Sequence, residues 1–120
     1  MISNRLEPYT EERPWGNFVK FTKGQPSTVK ILTVKPKEAF SLQSHLKRDE
    51  FWHVRIGEGI ATIGDKSIEA HTGSDFFIPR GTKHRLEGGV NGISVLEISQ
   101  GEFDEGDITR FEDKYGRIKS

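Results

Sequence analysis

The chain has 120 residues, of which 32% are apolar and 30% charged, a composition that fits one soluble globular domain and excludes intrinsic disorder. At this length folding buries roughly two-thirds of the chain's surface, so a full core forms without staples and a second catalytic domain is not expected. Eighteen Lys and Arg balance eighteen Asp and Glu and there is no Cys, so nucleic-acid and membrane partners, disulfides, thiolate metal sites and cysteine nucleophiles are all excluded as expectations.

Met1–Glu12 is polar and non-periodic and reads as a loosely held arm or edge segment ahead of a single domain over 13–120. From Trp15 onward, short runs rich in β-branched and aromatic residues follow one another. They are Asn17–Phe21, Thr28–Val34, Phe51–Ile56, Ile60–Ile63, Lys66–Glu69, Asp75–Ile78, His84–Leu86 and Ile93–Ile98, each bounded by Gly, Pro, Asp or Asn. This rhythm predicts an all-β sandwich or barrel of antiparallel strands. Gly64-Asp65 reads as a tight hairpin turn. In the tail, Ile108, Phe111 and Tyr115 at helical spacing behind Asp107 as N-cap predict a short C-terminal helical segment packed on the barrel. The longest apolar run is Phe76-Phe77-Ile78, too short for a membrane span or a secretory signal, and the expected location is the cytoplasm.

Four residues combine ligand chemistry with strand geometry: Gln43, His45, Glu50 and His84. Gln43 and His45 are two apart and share a face on an extended strand. Glu50 joins them if the turn through Leu46–Asp49 returns the next strand antiparallel. One amide, two imidazoles and a carboxylate suit a divalent first-row metal, zinc first, with manganese, iron, cobalt or nickel as alternatives. A single His on a half-buried strand is more often a hydrogen-bonded core residue than a ligand. The weight comes from the frame, in which Glu50 precedes Gly57, and Gly73 precedes Pro79, Gly81 and His84.

These two frames resemble the two motifs of the cupin superfamily, with Gln43-Ser44-His45 in place of the usual His-x-His pair and GSDFFIPRGTKHRLEG as the second motif. More closely, RPWG at Arg13–Gly16, SLQSH at Ser41–His45, Glu50-Phe51-Trp52, IPRGTKHRLE at Ile78–Glu87 and RFEDKYGR at Arg110–Arg117 resemble the type II phosphomannose isomerases. In that family the cupin is usually the C-terminal part of a protein that also carries mannose-1-phosphate guanylyltransferase. The resemblance implies a double-stranded β-helix, or jelly roll, with Gln43, His45, Glu50 and His84 as metal ligands inside it. The sequence holds no Gly-rich nucleotide-binding segment, so guanylyltransferase activity is not carried over. Two departures stand out: Lys37-Glu38 replaces a common Pro-Gly turn, and Ser99-Gln100 replaces an expected Gln-Ser.

Such enzymes interconvert mannose 6-phosphate and fructose 6-phosphate through an enediolate, which needs a Lewis acid and a general base. Glu97 is the first choice of base, and Lys35, Lys30 and His53 are reserves. Strand alternation argues against His53, because it and Phe51 face away from Trp52 if Glu50 looks inward. The phosphate calls for arginine forks, and Arg13, Arg85, Arg110 and Arg117 fall inside the matching motifs, with Arg13 and Arg117 expected nearest the ligand. Trp15 and Trp52 read as core or rim. Two rival readings are a non-catalytic cupin that binds a sugar phosphate or nucleotide sugar, and a metal-dependent cupin enzyme acting on another sugar. Apolar residues on both faces of Thr28–Val34 predict a homodimer.

Overall fold

The computed structural model describes residues 8–113 and Gly116. Nine strands follow in order: β1 Tyr9–Arg13, β2 Gly16–Lys20, β3 Ser27–Val34, β4 Leu42–Ser44, β5 Arg48–Ile63, β6 Lys66–His71, β7 Asp75–Ile78, β8 His84–Gly101 and β9 Thr109–Glu112. The described residues contain no helix, hence none that could cross a membrane. β1 and β2 make a separate two-stranded sheet, and the other seven strands form one sheet.

The spine is the antiparallel pair β5 and β8, each longer than its two sequence runs together. β5 unites Phe51–Ile56 with Ile60–Ile63, and β8 unites His84–Leu86 with Ile93–Ile98. Register shifts at Val54/Ile56 and Gly57/Gly59 bend β5, and Gly57 takes φ 99° where a Cβ would lie 2.2 Å from the Gly92 carbonyl oxygen. The bend needs a bare Cα there. One strand can then pair with β7 through Glu50–His53 and with β6 through Glu58–Ile63. The Gly64-Asp65 turn closes the β5–β6 hairpin, with Ile63 opposite Lys66 and Gly64 at φ 64°.

Side-chain alternation sorts the two faces. Trp52, Val54, Leu86 and Val95 point inward to the main core. Phe51 and Ile98 point outward to a second cluster, covered by Phe21 and Phe77. His53 lies on that outer side, bonded to Asp75 at 2.6 Å, as alternation requires.

Tyr9–Glu12 takes the edge-segment form of its two readings: it is most of β1, paired residue by residue with β2 and outside the core. One expectation is corrected. The helical segment behind Asp107 is absent among the described residues, because Thr109–Glu112 is strand β9, paired with β4. The physical reason is that β4 offers an open edge, and Arg85 ties Glu112 down through its side chain and its carbonyl, each at 3.2 Å. A helix of that length would be marginal in water. Tyr115 and Arg117 lie outside the described residues.

Candidate metal centre and catalytic cavity

The fold brings three of the four expected ligands into one buried group. Ligand atoms of His45, Glu50 and His84 lie within 4.8 Å of one another, and their side chains are 1–3% exposed. Each element has a clear reason to deliver its residue. β4 pairs with β8 so that Gln43 stands opposite His84, and alternation along β5 turns Arg48, Glu50, Trp52 and Val54 to the inside together.

Hydrogen bonds fix both imidazoles. His45 Nδ1 lies 2.7 Å from the Asp107 carbonyl oxygen, and His84 Nδ1 lies 2.9 Å from that of Thr82. A carbonyl can only accept, so each Nδ1 carries the proton, and a neutral ring then aims the Nε2 lone pair into the site. His84 Nε2 is 3.2 Å from Glu50 Oε1, yet both atoms are buried without a hydrogen-bond partner. Two such lone pairs face to face are unfavourable unless a cation, a proton or a metal ion, sits with them. Burial pushes the His45 imidazole below the usual histidine range, against the pull of Glu50, which keeps it neutral and fit to ligate. For Glu50 burial pushes upward, but a proton on His84 Nε2 facing Oε1, with charge at His45 and the Arg48 hydrogen bond beside it, outweighs it and brings the carboxyl down to about 2, the same stabilisation that a cation between the two atoms gives. The His/Glu/His group can hold a divalent metal.

Gln43 reaches the cluster but presents its nitrogen. Its Oε1 accepts from Ser41 Oγ at 2.7 Å, and its Nε2 faces His45 Nε2 at 3.4 Å. Gln43 would ligate through oxygen only with the amide turned over.

Arg48 escaped sequence reasoning. Its buried guanidinium donates to Glu50 Oε2 at 3.1 Å, the Asp104 carbonyl at 3.2 Å and His45 Nε2 at 3.2 Å, the last a bond that gives way when Nε2 ligates a metal, and lies 4.6 Å from the Phe103 ring centre. The available signal was its two-residue spacing from Glu50 on one strand. Asp107, read as an N-cap, instead clamps the loop after His45. Its carboxylate accepts from the Leu46 and Lys47 amides at 2.9 and 3.0 Å, while its carbonyl orients His45. Asp107→Ala keeps the carbonyl that orients His45 and removes only the clamp on the Leu46 and Lys47 amides, so it is expected to weaken metal affinity by no more than roughly 10-fold, the low end of the cost of disturbing a ligand's support. A chelator-competition titration checks this, and unchanged affinity would contradict the role.

A cavity of about 350 Å³ opens beside the cluster, with Gln43, His45, Arg48, Glu50 and Glu97 in its wall along with Lys30, Leu32, Phe40, Glu105, Ile108 and Arg110. Glu97, opposite Trp52 on β8, is 6% exposed and accepts from Trp52 Nε1 through Oε2 at 3.1 Å. Burial first and the Glu50 charge second push its carboxyl up to about 7, against Trp52, Lys30 and Arg48. Ser99 does stand near the site, its hydroxyl 3.4 Å from Glu50 Oε2.

The other expected residues divide. Lys30 lines the cavity, its Nζ bonded to Glu105 at 2.8 Å. Lys35 does not: it is exposed past the end of β3 and outside this cavity, because it follows the last residue paired with β8. Arg110 lines the cavity, and its Nε is buried without a partner. Arg85 does not line this cavity, and its donors go to Glu112 and the Phe40 carbonyl. Arg13 sits on the β1–β2 hairpin, paired with Glu11 and 5.4 Å from the Phe18 ring centre, away from its own chain's cavity.

Residues 4–113 match the model of the family described as "Mannose-6-phosphate isomerase C-terminal". The chain is 40% identical over 107 residues to the xanthan biosynthesis protein XanB of Xanthomonas campestris pv. campestris, covering 88% of this chain and 23% of that protein. It is 37% identical over 108 residues to the mannose-1-phosphate guanylyltransferase ManC of Salmonella typhimurium, covering 88% of this chain and 22% of that protein. The chain thus spans under a quarter of the length of these relatives. Among solved structures, a cupin protein from Bacteroides fragilis superposes with a TM-score of 0.58 at 21% identity, over 68% of this chain and 74% of that one. Family match and superposition agree with the all-strand architecture, and the chain belongs to the mannose-6-phosphate isomerase C-terminal family, folded as a cupin.

Proposed function

We propose that the chain is a metal-dependent sugar-phosphate isomerase that interconverts mannose 6-phosphate and fructose 6-phosphate. The observation that carries this reading is a buried carboxyl pushed up to about 7, Glu97, in a cavity whose wall also holds His45 and Glu50 of the His/Glu/His group. Moving a proton between C1 and C2 needs a base that is ionised and yet close to neutral in affinity, and a cation near the substrate oxygens. A solved structure titled a putative sugar phosphate isomerase, from Acidithiobacillus ferrooxidans, shares the fold at a TM-score of 0.58 and 18% identity, over 63% of this chain and 51% of that one.

His45, Glu50 and His84 would hold the metal, with Gln43 as a fourth ligand once its amide turns, and zinc is the first expectation for the ion. Bound there, the ion supplies Lewis acidity toward the substrate oxygens. Glu97 does the proton work. Trp52 holds Oε2, which leaves Oε1 to take the proton from C2 of the aldose and return it at C1. Arg48 keeps Glu50 and His45 in place and contributes fixed positive charge where the enediolate develops.

For the phosphate, Arg110 is the cation that both lines the cavity and has an unsatisfied buried donor. A charge-assisted hydrogen bond contributes about 1.5–3 kcal/mol. Arg110→Ala is therefore expected to raise KM for mannose 6-phosphate by roughly 10–100-fold, with little effect on unphosphorylated mannose. An equal effect on both sugars would remove Arg110 from the phosphate site. The reading itself is tested by incubating metal-loaded protein with mannose 6-phosphate. Fructose 6-phosphate supports it, and no product with zinc, manganese, iron, cobalt or nickel overturns it.

A further inference from the structure

Three cations line the candidate cavity, Lys30, Arg48 and Arg110, and they differ in what already holds them. Arg48 gives its donors to two buried side chains and a main-chain carbonyl. Arg110 keeps an orphaned Nε. Lys30 donates to Glu105 at 2.8 Å, and that carboxylate stands 76% exposed on the loop between β8 and β9.

Alternation puts Lys30 in the wall. On β3, Thr28, Lys30, Leu32 and Val34 turn inward while Val29 and Ile31 turn out, and Lys30 stands opposite Glu97 across the β3–β8 pair. Its Nζ lies 4.4 Å from the Phe103 ring centre, and the Arg48 guanidinium carbon lies 4.6 Å from the same centre. The face of that ring attracts the ammonium and keeps it at the cavity whichever anion it holds.

Glu105 reaches this seat from outside. It stands in a tight turn with Gly106, and the main chain there is fixed on both sides. The Asp107 amide donates to the Asp104 carbonyl and the Gly106 amide to the Asp104 carboxylate, each at 2.9 Å, while Asp107 clamps Leu46 and Lys47. Only the Glu105 side chain has to swing for the seat to empty. The Lys30 hydrogen bond holds its carboxyl below the usual carboxylate range, so at neutral pH the seat is taken by an anion. An ion pair this exposed shifts an equilibrium by only a few-fold, and a stronger anion displaces it. The wall sets three carboxylates, Glu50, Glu97 and Glu105, against its three cations, so its side chains offer a dianion little surplus of positive charge until Glu105 withdraws.

We propose that Glu105 is a built-in competitor for the ligand's phosphate, and that the phosphate of a sugar phosphate displaces it from Lys30 and is held between Lys30 and Arg110. Glu105 is then a specificity residue. A neutral sugar gains nothing from the exchange and a monoanion gains less than a dianion, so the pair favours a phosphate monoester. The proposal rests on the isomerase reading for its choice of ligand and deepens it.

The test is calorimetric binding of mannitol 6-phosphate, an analogue with no carbonyl to isomerise, to the metal-loaded full-length chain at pH 8, with mannitol as the control. Glu105→Gln is expected to bind the phosphate roughly 2–5-fold more tightly than wild type, because the competing pair is gone. Lys30→Met is expected to bind it at least roughly 10-fold more weakly, and adding Glu105→Gln to Lys30→Met should change nothing further. Glu102→Gln removes a comparably exposed acid, paired with Lys47 at 3.9 Å and outside this cavity, and should leave affinity nearly unchanged. Equal tightening by Glu102→Gln and Glu105→Gln would show a general field effect and overturn the shared seat. Wild-type or weaker affinity in Glu105→Gln, tightening that survives in Lys30→Met, or no binding by the wild type overturns it too. Turnover tells the two failures apart. The predicted pattern without fructose 6-phosphate from mannose 6-phosphate refutes the isomerase reading and keeps the seat, whereas turnover without coupling between Glu105 and Lys30 refutes the seat alone.

Discussion

Purified His84→Ala protein is expected to carry no stoichiometric metal and to convert no mannose 6-phosphate. In the proposed site His84 has no substitute as a ligand: its Nε2 is buried, faces Glu50 Oε1 at 3.2 Å and has no hydrogen-bond partner. Alanine removes that lone pair and leaves Glu50 to Arg48 and Ser99. The ring also packs edge-on against Trp52 at 5.7 Å and beside His45 at 5.0 Å, so truncation should cost about 2–5 kcal/mol of stability as well. His84→Asn separates the two effects, since it keeps more of the volume but lacks an imidazole in the same place. Both variants should melt cooperatively, and elemental analysis of the folded fractions should find little metal. Stoichiometric metal in either would refute the ligand assignment.

Glu97→Gln is the second large effect, a fall in kcat of about 10²–10⁴ with metal content and KM nearly unchanged. The amide is isosteric and still offers an oxygen to Trp52 Nε1, so the fold has no reason to respond. What it cannot do is take a proton. The pH dependence follows from the direction of the shift. Glu97 is raised from the usual carboxylate range to about 7, and a base works only when ionised. Turnover of the wild type should therefore rise with pH along a limb that ends near 7. Metal loading places positive charge by Glu50, offsets the repulsion that helps to raise Glu97, and moves the midpoint down between the ordinary carboxylate value and about 7. A wild-type rate that is flat from pH 5 to 8, or a Glu97→Gln enzyme with wild-type kcat, would transfer the base role to another group.

What was legible in the sequence was whatever depends on near neighbours. Alternation on one strand placed Glu50 and Trp52 inside and His53 outside, whereas Gly57, read as a break between two strands, is a bend within β5. What was not legible depends on partners far along the chain. Helical spacing in the tail was real as a pattern, but the open edge of β4 was decisive, and only tertiary pairing shows it. Asp107 has the chemistry of a helix cap and uses it on loop amides of Leu46 and Lys47 instead. Arg48 stands in a charged stretch with nothing local to single it out, and burial against Phe103, Glu50 and His45 makes it part of the site. Lys35 was one residue past the end of β3, which is enough to place it outside the cavity.

The most direct test of the central claim is proton NMR of the metal-loaded protein with mannose 6-phosphate in deuterated water, following product and the C1 and C2 proton signals together. The account predicts fructose 6-phosphate with deuterium incorporated at carbon, as proton transfer through an exchangeable carboxyl requires. No fructose 6-phosphate and unchanged C1 and C2 signals from protein with its metal bound would contradict it.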